Sequence, residues 1–208
     1  MEDVLNEINE LAKSGYKEVV LTGIHLSSYG VDTGETLLSL IEHVHEIEGI
    51  ERIRLGSLEP RIVTEDFAKR LSELTKICPH FHLSLQSGCD ATLQRMNRRY
   101  DTREYEEGCQ ILRKYFDHPA ITTDVIVGFP GETEEEFADL QSFVQEMKFD
   151  RLGVFSYSQE EGTVAAEMEN QIPEETKEER RDIIMDIQKS IAAALCEKEV
   201  GKVMEGAD

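Results

Sequence analysis

TTDVIVGFPGETEEEF, residues 122–137, is the stretch of this sequence that decides the predicted fold. Its β-branched run from Val125 to Val127 is typical of a strand that is covered on both faces. Glycine and proline end the strand, and Thr133 with Glu136 three residues later fits a capping box at a helix start. We therefore predict a strand, a glycine-rich turn and a helix, in which Gly128 to Gly131 lets the backbone approach a ligand closely.

The same alternation of strand and helix extends to both sides of this stretch. Apolar strands are predicted from Lys17, Glu51, His80 and Arg151, at intervals of about 30 residues, with amphipathic segments between them. Five strands separated by helices indicate the α/β class with a parallel sheet. Right-handed crossovers then place every strand's carboxyl end on one edge.

The helix boundaries follow from start and stop signals. Helices are predicted at residues 2–14, 35–47, 102–116 and 174–199, and Thr64 and Asp90 are each expected to cap a further helix.

Polar and small residues follow each predicted strand. A row of such residues at successive strand ends predicts a ligand site, although a strand edge that is merely solvated remains the alternative. The residues are Thr22, His25, Ser57, Glu59, Gln86, Ser87, Asp124, Gly128, Ser156 and Tyr157.

Composition restricts the class of protein. The 208 residues are enough for one core, and 43 acidic against 22 basic side chains give a net charge of −21, which repels nucleic acid phosphates unless a local patch overrides it. The sequence has no long apolar run and no signal-peptide pattern, so we expect a cytoplasmic protein without a membrane span. The four cysteines have no CxxC pair, which favours free thiols over a structural zinc site.

The two ends of the chain indicate a fragment of a longer protein. The first predicted helix has an apolar face but no preceding strand to cover, and the chain stops soon after the last helix. We expect that the exposed edge of the first strand could make the fragment associate with itself.

Five motifs resemble the successive strand-end motifs of the radical SAM methylthiotransferases, in order and over nearly the whole chain. They are TGIHLSSYG from Thr22, RIRLGSLEP from Arg52, HLSLQSGCDATLQRMNRRY from His82, TDVIVGFPGETEEEF from Thr123 and FSYSQEEGTVAA from Phe155. The first two look most like the bacterial branch that acts on N6-threonylcarbamoyladenosine at position 37 of tRNA, beside the anticodon. Related branches act on isopentenyladenosine in tRNA or on an aspartate of a ribosomal protein.

The resemblance implies a partial (βα) barrel that lacks its first βα unit, with residues 1–200 as the radical SAM domain and 201–208 as the start of a linker to an RNA-binding β-barrel domain. It also implies S-adenosylmethionine and two [4Fe-4S] clusters in the parent enzyme, with tRNA as the partner. The CxxxCxxC loop that holds the radical-forming cluster is absent from this sequence. We therefore expect no bound cofactor, no metal ligand and no catalytic residue in this piece, which would be inactive alone.

Residue roles carried over from the resemblance concern the cofactor and the substrate. The cofactor-binding residues would be Ser57, Glu59, Gln86, Ser87, Arg98, Asp124, Ile126, Gly128, Phe129 and Tyr157. Arg98 would meet the carboxylate of the cofactor, and Phe129 and Tyr157 would border its adenine. His25 and Tyr29 would contact the substrate. Glu160 stands where the family usually has an arginine, which reverses a charge at this edge.

Two other classes of function remain open from the sequence. One is a scaffold or interaction module that keeps the fold without the chemistry. The other is an enzyme that uses Glu59, Asp124 and His25 for ordinary acid–base catalysis, although no spacing forces these three together.

Overall fold

The computed structural model describes residues 1–203. Most of the predicted linker, residues 204–208, therefore lies outside the described residues. The chain divides into two compact units, and each is described by itself. The first consists of Met1–Leu85 and Thr102–Thr122, and the second of Gln86–Asp101 and Thr123 onward.

Helices and strands alternate along the described chain. In order they are α1 (Glu2–Lys13), β1 (Glu18–Leu21), α2 (Leu37–His45), β2 (Arg52–Leu55), α3 (Glu65–Ser72), β3 (His80–His82), α4 (Asp90–Arg95), α5 (Thr102–Tyr115), β4 (Ala120–Val127), α6 (Glu134–Met147), β5 (Arg151–Ser156) and α7 (Glu174–Glu199). Within residues 1–203, none of the helices combines the length and the apolar character needed to cross a membrane.

Parallel pairing in the first unit confirms the predicted class. Strand β1 pairs with β2 in parallel, and β3 pairs in parallel with the first residues of β4. Single bridges join Ile53 to Ile77 and Leu58 to Leu83, so the ladder is interrupted. The strands therefore form two small sheets, of two and three strands, in place of the single five-stranded sheet that the spacing predicts.

Aromatic and apolar side chains form the core of the first unit. Phe81 of β3 is fully buried, and its ring lies 4.8 Å from that of Phe116 in an edge-to-face arrangement. The buried Tyr105 donates its hydroxyl hydrogen to the carbonyl of Leu83 at 3.1 Å, which satisfies its one polar atom. The predicted cap at Thr64 is confirmed, since its Oγ1 accepts from the backbone N–H of Phe67.

The second unit contains the strand, turn and helix predicted from residues 122–137. Thr133 Oγ1 accepts from the N–H of Glu136, and the Glu136 carboxylate accepts from the N–H of Thr133, which completes the capping box. The face of α6 at Phe137, Leu140, Val144 and Met147 is buried as predicted. Strand β5 is the neighbour of β4, and its observed bounds match the prediction.

Two local predictions are wrong. Asp90 does not cap α4, because Cys89 occupies the N-cap, without a side-chain hydrogen bond. Asp90 lies in the first turn instead, where its negative charge interacts favourably with the helix dipole. The strand predicted from His80 to Gly88 ends as a regular strand at His82. Beyond it only single parallel bridges continue the pairing, at Leu83 and at Gln86, whose φ of 72° lies outside the strand region.

Candidate functional site

The loops after β1 and β2 meet in the first unit. The N–H of Gly56 donates to the carbonyl of Leu21 at 2.7 Å, and a Cβ on Gly56 would lie only 2.9 Å from Thr22 Oγ1. Ser27 Oγ accepts from the N–H of Glu59 at 2.9 Å. These contacts explain why glycine follows β2, and they confirm that the two strand ends lie side by side.

The predicted site residues of the first unit differ in the solvent exposure of their side chains. His25, Ser57 and Glu59 are exposed. Tyr29 is half-buried and donates its hydroxyl hydrogen to Glu35 Oε2 at 3.2 Å. Burial, followed by this hydrogen bond, raises the pKa of Tyr29 above its ordinary value. Tyr29 therefore has an internal partner, whereas the other three face solvent.

Gln86, the first residue of the second unit, has an unusual backbone conformation. Its φ of 72° is left-handed, a region that costs a residue other than glycine on the order of 1 kcal/mol or more. Two hydrogen bonds to β4 hold it there: its N–H donates to the carbonyl of Asp124, and its carbonyl accepts from the N–H of Ile126, both at 2.9 Å. Such strain is commonly found at functional positions.

Ser87 and Asp124 occupy defined places beside this position. Ser87 is buried, and its Oγ accepts from the N–H of Cys89 at 3.3 Å. Asp124 is half-buried, and a Cβ on Gly153 would lie 2.3 Å from its Oδ1. The glycine at 153 therefore leaves the space that the Asp124 carboxylate fills.

The Gly128 turn, residues 128–132, follows the end of β4. Gly128 has a φ of 70°, and a Cβ on it would lie 2.3 Å from Lys177 Cγ. Its N–H donates to Glu132 Oε1 at 2.9 Å. Glycine at this position thus satisfies both the backbone conformation and the close approach of α7.

Aromatic side chains pack beside this turn. The rings of Phe129 and Tyr157 are 5.3 Å apart, edge to face, and the Lys177 ammonium lies 5.4 Å from the centre of the Tyr157 ring. The buried hydroxyls of Tyr157 and Ser156 have no hydrogen-bond partner among residues 1–203. The unsatisfied hydroxyl of Tyr157, beside the Phe129 ring, fits a site that a polar ligand completes.

The cation predicted for the cofactor carboxylate is free. Arg98 is exposed, and within the described part of the chain its guanidinium has no hydrogen-bond or ion-pair partner. Glu160, also exposed, accepts from the hydroxyl of Ser158 at 2.8 Å.

The turn is also held by residues that sequence reasoning missed. They are Arg95, Glu132, Lys177 and Arg180. The helical spacing of Lys177, Arg180 and Gln188, with the apolar Ile184 between them, was an available signal. It was missed because charged residues are rarely buried unless they are paired.

No metal centre is formed by the described side chains. Among residues 1–203, no three His, Cys, Asp or Glu side chains are grouped as metal ligands could be. The unpartnered hydroxyls, the left-handed Gln86 and the free Arg98 suit a polar organic cofactor, but the residues present do not fit an iron–sulfur cluster.

Comparison with protein families identifies the chain. The sequence profile of the radical SAM superfamily matches residues 1–144. The chain belongs to the radical SAM superfamily. The part of this radical SAM chain from β5 onward, which includes α7, lies outside the matched residues.

Curated relatives of this radical SAM protein carry the name tRNA-2-methylthio-N(6)-dimethylallyladenosine synthase. The relative from Acetivibrio thermocellus is 39% identical over 207 residues, which cover 99% of this chain and 43% of that protein. The relative from Clostridium tetani is 42% identical over 187 residues, or 89% of this chain and 41% of that protein. The chain thus spans less than half the length of the curated relatives it matches.

Solved structures show the same fold at low sequence identity. Coproporphyrinogen III oxidase from Escherichia coli, a radical SAM enzyme, aligns with a TM-score of 0.65 and 18% identity, over 94% of this chain and 45% of its own. Archaeal Elp3 from Methanocaldococcus infernus aligns with a TM-score of 0.58 and 16% identity, over 90% of this chain and 49% of its own. These likenesses confirm the predicted partial radical SAM fold.

Proposed function

We propose that this chain is the central part of a radical SAM tRNA methylthiotransferase that acts on N6-dimethylallyladenosine. The observation that carries the proposal is the name shared by curated relatives that are about 40% identical over almost the whole chain. These names do not support the threonylcarbamoyladenosine substrate predicted from the motifs, and they match the isopentenyladenosine alternative instead. The place of action would be position 37 of tRNA in the cytoplasm.

The second unit supplies the residues that would hold S-adenosylmethionine. Arg98 offers an unpaired guanidinium for the carboxylate, and the unpartnered hydroxyl of Tyr157 offers a polar contact beside the Phe129 ring. The other proposed cofactor residues lie at or near the carboxyl ends of the neighbouring strands, the edge at which parallel sheets bind ligands; they are Gln86, Ser87, Asp124, Ile126 and Gly128.

We also propose the roles that the sequence predicts for residues of the first unit. Exposed Ser57 and Glu59 are candidates for further cofactor contacts, and exposed His25 is a candidate for the tRNA base. Tyr29 would have to exchange its Glu35 hydrogen bond for one with the substrate.

The chemistry divides between the cofactor and these residues. When bound to a reduced iron–sulfur cluster, S-adenosylmethionine supplies the one-electron chemistry that activates a carbon–hydrogen bond. The residues of this chain bind the cofactor's polar groups, orient its adenosine and exclude water with the Phe129 and Tyr157 rings, which are both nearly buried.

The test is an assay of tRNA nucleosides in cells. The full-length gene product is expressed in a bacterium that lacks its own tRNA methylthiotransferases, and digested tRNA is analysed by mass spectrometry against an empty-vector control. We expect a methylthio group on N6-dimethylallyladenosine. Unmodified tRNA, together with no iron or acid-labile sulfide in the anaerobically reconstituted protein, would contradict the proposal and favour the scaffold interpretation.

A second candidate substrate is N6-threonylcarbamoyladenosine. It is favoured by the TGIHLSSYG motif from Thr22 and the LEP motif at Leu58–Pro60, which resemble that branch. The same assay separates the two substrates, because the methylthio group would then appear on the threonylcarbamoyl nucleoside.

The acid–base alternative receives no geometric support in the first unit. Glu59 and His25 are both exposed there, and no hydrogen bond joins them within residues 1–203. A catalytic acid and base that act together are normally held within hydrogen-bond reach of the reacting group.

A further inference from the structure

Helix α7 buries an unusual set of side chains. Its buried residues are Lys177, Arg180, Ile184 and Gln188, at the spacing of one helix face. Such a face is normally apolar, yet only Ile184 is apolar here. Each polar member has a definite contact in the second unit, so the face acts through polar contacts as well as through packing.

Arg180 connects α7 with the Gly128 turn. Its Nη1 donates to Glu132 Oε1 at 2.7 Å and to the Glu132 carbonyl at 3.1 Å, and its Nη2 bonds Glu134. The same Glu132 Oε1 accepts from the N–H of Gly128 at 2.9 Å. One carboxylate oxygen therefore bridges the helix and the first residue of the turn. We call Gly128, Glu132 and Arg180 the turn clamp.

Stability alone is a poor explanation for the turn clamp. The side chains of Arg180 and Glu132 are only 5% and 1% exposed, so both charges have lost their hydration. The free-energy cost of removing such charges from water offsets most of their mutual attraction. A pair of apolar side chains of similar size is often as stabilising as the buried ion pair. What an apolar pair could not do is fix the direction of the Gly128 N–H and the path of residues 128–132.

Lys177 fixes the other side of the same glycine. Its Cγ occupies the space that a Cβ on Gly128 would need, while its ammonium lies over the Tyr157 ring and pairs with Glu174 at 3.1 Å. Helix α7 therefore covers both the turn and the aromatic ring that are proposed to border the adenosine.

We propose that Arg180 and Glu132 are positioning residues, which hold the Gly128 turn in the conformation that binds S-adenosylmethionine. The inference rests on the proposed function, since the turn is a cofactor site only if that proposal holds. It adds a role for α7, which lies beyond the residues matched by the superfamily profile. Neither residue is expected to touch the reacting atoms.

Gln188 provides a matched control on the same helix. It is buried like Arg180, and its Nε2 donates to the carbonyl of Phe149 at 2.8 Å. Gln188→Met thus removes a buried polar contact of α7 without touching the turn clamp. Variants of the clamp are Arg180→Gln and Glu132→Met, which removes the acceptor of the Gly128 N–H, and Arg180→Lys keeps the charge but loses the bidentate guanidinium.

The first measurement compares KM for S-adenosylmethionine with kcat in the reconstituted full-length protein. We expect Arg180→Gln and Glu132→Met to raise KM by about tenfold or more, with a smaller change in kcat, because the misplaced turn weakens cofactor binding. Gln188→Met should lower the thermal midpoint but leave KM unchanged. Equal KM values in the clamp variants, the control and the natural protein would overturn the inference.

The second measurement does not depend on activity. Amide hydrogen exchange over residues 128–133 should be faster in Arg180→Lys than in Gln188→Met, because only the former loosens the clamp. Equal exchange in these two variants would also overturn the inference. If the natural protein modifies tRNA but the clamp variants behave like the control, only the positioning role fails; if the natural protein modifies no tRNA, the proposed function fails.

Discussion

Two arginine–glutamate pairs contact residues 130–136 in the second unit, and one pair is more deeply buried than the other. Arg180 and Glu132 are 5% and 1% exposed, whereas Arg95 and Glu136 are 31% and 14% exposed. Arg95 donates to both oxygens of Glu136 and to the carbonyl of Pro130, whereas the buried Nε of Arg180 has no hydrogen-bond partner among residues 1–203. The charged groups are of the same kind, but the pairs differ in the access of water and in geometry, since Arg180 binds one oxygen of Glu132 and also Glu134.

The two glutamates respond in opposite directions to these surroundings. Burial raises the pKa of Glu132 above its ordinary value, although the Gly128 N–H and Arg180 act against it. The hydrogen bond from Arg95 lowers the pKa of Glu136, with burial as the smaller, opposing influence. The comparison teaches that a buried pair is not simply a stronger version of an exposed one, because desolvation decides whether the pKa of the carboxyl group rises or falls.

The largest expected effect comes from breaking the buried pair. Arg180→Met leaves the Glu132 carboxylate buried without its cation, which should lower the free energy of unfolding by about 3–5 kcal/mol. Urea unfolding measures the change. The double variant Glu132→Gln/Arg180→Met should be more stable than Arg180→Met, because no unpaired charge remains and the amide oxygen can still accept from Gly128. A double variant that is less stable than the single one would contradict this explanation.

Gly128→Ala should have the next largest effect. The new methyl group must tolerate a φ of 70° and a position 2.3 Å from Lys177 Cγ. We expect a loss of about 2 kcal/mol in unfolding free energy, measured in the same way. Gly128→Ala/Lys177→Ala should recover the part due to the close contact; full recovery would show that the backbone conformation carries no penalty.

Breaking the half-exposed pair should cost less. Arg95→Met removes hydrogen bonds to Glu136 and Pro130, but water can reach the released carboxylate. We expect a loss of about 1 kcal/mol, below that of Arg180→Met. Exposed Arg98, three residues away, is the control, and Arg98→Met should leave the unfolding free energy unchanged. A larger loss for Arg95→Met than for Arg180→Met would reverse the comparison.

The smallest effect is the pH dependence of stability. The folded pKa of Glu136 is lowered, so its contribution is present above the unfolded pKa and is lost as the pH falls through the folded value. The folded pKa of Glu132 is raised, so its contribution is present below the unfolded pKa and is lost as the pH rises through the folded value.

Unfolding midpoints measured across the acid range test both signs. Glu136→Gln should reduce the loss of stability toward low pH, whereas Glu132→Gln should reduce the loss as the pH rises toward neutrality. The same direction of change in both variants would show that the two carboxyl groups do not differ as described.

Much of the fold could be predicted because its signals are local. The capping box from Thr133 to Glu136 spans four residues, and the buried face of α6 follows helical spacing, so both are confirmed. The strand predicted beyond His82 is reduced to single bridges at Leu83 and Gln86, and Gln86 is held in a left-handed conformation by hydrogen bonds to Asp124 and Ile126 on β4. Sequence periodicity contains no information about that pairing.

The candidate site could be predicted only in part. Gln86, Asp124 and Gly128 could be named because they end or follow apolar strands, and Arg98 by resemblance. That Tyr157 packs on Phe129 and leaves its hydroxyl unpartnered could not be derived, since 28 residues separate them in the chain.

The sequence by itself determined the α/β class, the order of the elements, the helix caps at Thr64 and Thr133, and membership of the radical SAM superfamily. These depend on hydrophobic period, capping residues and motif order, which are all properties of short stretches. Only the tertiary structure decided that Arg180 meets Glu132, 48 residues earlier, and that their shared carboxylate holds the Gly128 turn. A buried charge is stable only beside its partner, and folding alone brings these partners together.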